Sequence, residues 1–147
     1  MTYPLFLTLH LFAALIFIGT VFFEVLFLES IRQQLPTKVM VLLEQGISRR
    51  ARQLMPWVLL VLFGAGVAMV WLRYRAVLAS PLQSSFGVLL GLKILLAASV
   101  LGHFLWAMWL FRSGRMKAGY VRFIHASVFL HLVAIVLLAK GMFYLNG

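Results

Sequence analysis

Two histidines, His103 and His131, lie inside long apolar runs at matched distances from two groups of basic residues. His103 precedes Arg112 by nine residues, and His131 follows Arg122 by nine. On helices, both then lie roughly 13 Å in from the same edge, at a rise of 1.5 Å per residue. Two imidazoles at one level on antiparallel neighbours are the donor set of a bis-histidine haem b or of a small metal site. The chain has no cysteine and only 3 carboxylates in 147 residues. That excludes disulfides, iron–sulfur clusters, thiolate sites and haem attached through C-x-x-C-H. A soft-metal site must use His and Met.

Other polar residues sit at other depths. His10 falls early in the first apolar run and Lys93 early in the third, both towards the opposite edge from His103. Together they suggest an outer polar site for propionates, a second haem or an anionic substrate, with His10 a further metal ligand. Lys140, near the end of the last run, is a weaker member. Glu24 follows His10 by 14 residues, nearly four turns, and shares its face with His10 and Phe17. It can orient an imidazole through a hydrogen bond, carry a proton, or pair with a basic residue such as Arg122. His125 is six residues from His131, about 240° around the helix. It faces elsewhere and is the weaker candidate, read as interfacial. A bland alternative covers all four histidines: polar side chains that only join helices. Met69, Met108 and Met142 form no M-x-x-M pair, which weighs against a copper conduit. P-loop, nucleophile and H-E-x-x-H motifs are absent.

The elements that must position these residues are transmembrane helices. The chain is 64% hydrophobic and 11% charged, with a mean hydropathy of +1.05, which fits neither a soluble globule nor a disordered chain. Four runs of about 20 residues or more suffice to span: 5–28, 54–72 (with Pro56 in its first turn), 86–111 and 123–144. The opening residues lack a basic n-region, so the first run is expected to be retained. The net charge of +10 would suggest nucleic acid in a soluble protein. Here the bases gather in two segments, Glu29–Gln53 and Arg112–Arg122. By the positive-inside rule both are cytoplasmic and both termini lie outside. Thr37–Glu44 reads as a helix capped by Thr37, either interfacial or an extension of the second span, with a basic face towards anionic headgroups. Gly87 and Gly91 form a G-x-x-x-G face suited to close helix packing or a homodimer. No internal repeat stands out. The expected architecture is all-α: one integral membrane domain, 1–147, folded as an up-down-up-down four-helix bundle.

The run from Leu9 to Gly19, with His10 at its head, resembles the first span of the CopD (copper resistance D) membrane domain, with Phe17 where a tryptophan is common. His10, Met55-Pro56, Lys93 and His103 are similar to features of the related HemJ-type four-helix proteins, associated with protoporphyrinogen oxidation. The tail Arg122-Phe123-Ile124 followed by Leu132–Val136 is also similar to theirs. Where HemJ proteins carry Asn-Glu at the start of the last span, this chain has His125-Ala126. His131 is a second departure, and a histidine pair at its depth resembles a small b-type cytochrome. The resemblance implies haem or copper chemistry. The expectation is a haem b-binding inner-membrane protein of bacterial type. Its role would be electron transfer or oxidation of a quinone- or porphyrin-like substrate, with His103 and His131 as axial ligands. The alternative is copper binding or transport of the CopD type.

Overall fold

The computed structural model describes residues 1–145, and its regular structure is helical throughout. Four helices are long and apolar enough to cross a membrane: α1 (Thr2–Arg32), α2 (Thr37–Ala79), α3 (Ser85–Arg112) and α4 (Ala118–Tyr144). Each expected apolar run falls wholly within one of them. By its internal contacts the chain divides into two units, Met1–Tyr74 and Arg75–Gly147.

The first unit is a hairpin of α1 against α2 across the tight turn at residues 33–36. Pairs descend one helix as they ascend the other. The Tyr3 and Tyr74 hydroxyls are 3.3 Å apart, His10 meets Leu62, and Arg32 meets Glu44. Ala13, Phe17 and Val21 of α1 and Val58, Leu59 and Ala65 of α2 are the buried apolar residues between them. α2 runs unbroken from Thr37, so the 37–44 segment is an extension of the second span and most of the basic segment is helix rather than loop. Two sequence expectations fail here. Thr37 is not the cap: Pro36 is, and no side chain caps this end. Its extended ψ of 141° aims its carbonyl at the N–H groups of Val39 and Met40. Pro56 lies in the interior of α2, not its first turn, and there removes one i to i−4 bond.

Each helix of this hairpin contains one π turn, Glu24–Leu28 in α1 and Val70–Tyr74 in α2. A π turn takes up about one extra residue, a rotation of roughly 100° for everything beyond it. Beyond the first, Arg32 donates both to Glu29 on its own helix and to Glu44 on α2. Two of the 3 carboxylates in the chain are engaged by this one guanidinium. At the other end the Arg73 guanidinium lies 5.1 Å over the Tyr3 ring, a cation–π contact.

The second unit is the α3–α4 hairpin. α3 begins on Ser84, whose hydroxyl accepts the Gly87 N–H at 3.0 Å, as an N-cap serine does. The short 3₁₀ turn Pro81–Gln83 folds back so closely that a Cβ at Gly87 would lie 2.5 Å from the Pro81 carbonyl oxygen. Gly87 therefore has a local reason within the chain, whereas a Cβ at Gly91 would meet nothing within 4 Å. α3 ends in a Schellman motif: Gly114 has φ 68°, Arg115 N–H bonds Leu110 O, and Gly114 N–H bonds Phe111 O. Leu90, Val100 and Leu110 are buried with Ile124, Val128 and Leu132. Phe86 packs edge-on to Phe143 at 5.8 Å, and Trp106 packs on Tyr120 and Phe123. Trp106 and Tyr120 thus pack edge to face within the hairpin.

Large apolar side chains cover the outer faces of both hairpins. Phe12, Leu60, Leu95 and Leu137 are 63%, 64%, 68% and 68% exposed, as suits helices solvated by hydrocarbon rather than water.

Candidate functional site

The α3–α4 hairpin brings His103 and His131 together, with ring centroids 5.2 Å apart and planes inclined at 64°. Both rings are half-buried. Helical side chains lean back over the preceding turn, and each imidazole uses that lean in the same way. His103 Nδ1 lies 2.7 Å from the Ser99 carbonyl oxygen, and His131 Nδ1 lies 2.7 Å from the Ser127 carbonyl oxygen. A carbonyl only accepts, so in both rings Nδ1 carries the hydrogen and donates. Nε2 of the neutral ring is then an acceptor.

Those Nε2 atoms reach across the hairpin. The Ser127 hydroxyl donates to His103 Nε2 at 3.0 Å, and the Ser99 hydroxyl donates to His131 Nε2 at 3.0 Å. Four residues thus close a reciprocal ring of four hydrogen bonds, two of them accepted by the serine backbone carbonyls. Residues four apart share a helix face, and antiparallel pairing sets the serine of one helix opposite the histidine of the other. Ser99 and Ser127 are absent from the sequence-based candidates, yet a signal for them exists. Ala98-Ser99-Val100-x-x-His103 is repeated as Ala126-Ser127-Val128-x-x-His131. This short repeat corrects the expectation that the chain has none.

The tautomer suits metal ligation, since histidine ligands commonly fix one ring N–H on a carbonyl and offer the other nitrogen. The arrangement does not suit a haem held between the rings. Metal–imidazole bonds of about 2.0–2.1 Å would set ligand centroids on a shared axis roughly 6 Å apart, with a porphyrin plane between. Here the rings are closer, steeply inclined, and directed past each other onto serine hydroxyls. Among the described residues no group of three His, Cys, Asp or Glu side chains could hold a metal ion, so the donor set is two imidazoles. That is too few for the four-coordinate sites of zinc. A cuprous ion accepts two imidazoles in a linear arrangement, but it asks of them what haem does: both rings must swing off the serine hydroxyls until their Nε2 atoms meet on one axis.

The remaining candidates are not members of this ring. His125 is half-buried on α4, six residues before His131. Lys93 is half-buried on α3, ten residues before His103, and Lys140 is exposed on α4. His10 belongs to the first hairpin. Its Nδ1–H donates to the Leu62 carbonyl at 2.8 Å, and its ring packs where a Gly66 side chain would be: a Cβ there would meet His10 Cε1 at 3.3 Å. Glu24, also in the first hairpin, is half-buried and opens the π turn of α1. No protein family, curated protein or solved structure matches the chain.

Proposed function

We propose that this chain is a multi-pass membrane protein that binds a redox metal between α3 and α4, with His103 and His131 as its ligands and copper as its occupant. The observation that carries the reading is the matched tautomer: both rings spend Nδ1–H on their own helix and turn an Nε2 lone pair across the hairpin. Bound there, copper would supply one-electron redox chemistry or a carried ion. The chain's own part is to orient both rings, to keep bulk water from them with the apolar neighbours Val100, Val128 and Leu132, and to release two serine hydroxyls. The reading agrees with the resemblance to CopD. Its wider frame is an up-down-up-down bundle in a bacterial-type inner membrane, with the basic ends of the helices cytoplasmic.

Copper and haem b (the first expectation from sequence) both require the rings to turn from the serine hydroxyls, and haem b also requires the hairpin to part around a porphyrin. One preparation tests both. Purified protein, charged with copper under reducing conditions, is expected to retain one ion per chain. His103→Ala and His131→Ala should each lose it, and His125→Ala should keep it. An ion retained by His103→Ala overturns the proposal. So does a Soret band, after haem-supplemented expression, that His103→Ala removes, which restores the haem reading.

A further inference from the structure

The first hairpin carries a cleft that the metal reading does not use. It is an open groove between α1 and α2 towards the 33–36 turn, of about 510 Å³. Its floor exists because side chains are missing or turned away. A Cβ at Gly19 would meet nothing within 4 Å, and Ala51 on the facing helix is small. Thr20 donates its hydroxyl to the Ile16 carbonyl at 2.7 Å, which leaves a methyl group to line the space. Leu54, Met55 and Phe23 complete an apolar wall.

One lining residue is charged. Arg50 lies in the half of the cleft nearer the turn, between Ile47 and Leu54 on α2, and one helical turn before the apolar run of that helix begins. Its side chain is exposed, and its guanidinium takes no part in the ion pairs that Arg32 forms with Glu29 and Glu44. Arg49 and Arg52 flank it on the same helix. The cleft therefore pairs a cation at headgroup level with a hydrocarbon trough running about 7.5 Å along α2 from Arg50 to Met55.

The geometry points to a binding site for one anionic phospholipid, its phosphate on Arg50 and the upper part of an acyl chain against Gly19, Leu54 and Met55. Charge complementarity selects this occupant: a guanidinium forms charge-assisted, bidentate bonds to phosphate, and a basic residue at a membrane surface favours anionic lipid. The proposal rests on residues of the first hairpin alone and does not depend on the metal reading.

The test uses the full chain in mild detergent, stripped of lipid and titrated with phosphatidylglycerol or with phosphatidylcholine of the same acyl chains. Bound lipid is counted by native mass spectrometry. The native protein should take up one phosphatidylglycerol with roughly five-fold preference over phosphatidylcholine, the worth of one basic residue at an anionic surface. Arg50→Gln should reduce that preference to near unity. Arg49→Gln, a residue that does not line the cleft, should retain most of it. Gly19→Leu, which fills open space, should weaken both lipids together. Circular dichroism and elution volume check that each variant folds, and Arg50→Gln alters only an exposed side chain. A preference that survives Arg50→Gln overturns the proposal, as does lipid uptake unchanged by Gly19→Leu. A dimer mass that Gly19→Leu dissociates also overturns it, since the cleft would then hold a second copy of the chain.

Discussion

Replacing Ser99 or Ser127 by alanine should move two properties in opposite directions. Each serine hydroxyl gives one hydrogen bond to the imidazole Nε2 of the facing helix, at 3.0 Å in both cases. Such a bond contributes about 1 kcal/mol net in general and about 0.6 kcal/mol on average between membrane helices. Each single variant should therefore weaken the hairpin by roughly 0.6–1 kcal/mol. The same bond competes with a metal for the Nε2 lone pair. Its removal should tighten cuprous binding by about three- to five-fold, and the double variant by about ten- to twenty-five-fold, since 1.4 kcal/mol is a factor of ten. Competition against a chromophoric cuprous chelator reads the affinity, and reversible unfolding in mixed micelles followed by far-UV circular dichroism reads the stability. Affinity that falls in the serine variants would mean that the hydroxyls hold the ion themselves. Affinity that stays unchanged would mean that the ion does not take Nε2. Either result refutes the competition, and a tenfold difference between Ser99→Ala and Ser127→Ala refutes the equivalence of the two bonds.

Two further outcomes are expected. Gly87→Ala should destabilise the start of α3 by about 1–3 kcal/mol, because its Cβ would lie 2.5 Å from the Pro81 carbonyl oxygen; Gly91→Ala, in open space, should be nearly silent in the same melt. Gly66→Leu should push the His10 ring off the Leu62 carbonyl and shift the His10 Nδ1 resonance in a ¹⁵N spectrum, whereas Gly64→Leu, where a Cβ would meet nothing within 4 Å, should leave it in place.

The four helices were legible because runs such as 86–111 and 123–144 are apolar over a full span, and hydropathy alone marks them. The meeting of His103 and His131 was legible too. Equal counts from Arg112 and Arg122 fix equal depth whenever two helices are joined by a short turn. What hydropathy cannot register is hydrogen bonding inside a span. Ser99 and Ser127 are small and nearly neutral on any hydropathy scale, so they vanish into the apolar run unless the histidines are already aligned and the Ala-Ser-Val-x-x-His repeat is sought. The continuity of α2 was hidden for the opposite reason. Arg49, Arg50 and Arg52 read as loop, although arginine is a good helix former and nothing between Thr37 and Leu54 breaks a helix strongly except Gly46. The π turns leave no compositional trace, and the role of Gly87 depends on where Pro81 lands.

The reciprocal bonding of the serines and histidines makes the centre of the second hairpin locally symmetric. An approximate two-fold axis passes between α3 and α4, midway between the two rings, and exchanges Ser99 with Ser127 and His103 with His131. Each ring therefore meets the same pair of partners, a carbonyl of its own helix at 2.7 Å and a hydroxyl of the facing helix at 3.0 Å. The two rings should accordingly give nearly coincident magnetic resonance signals, and any single substitution on either helix should split them.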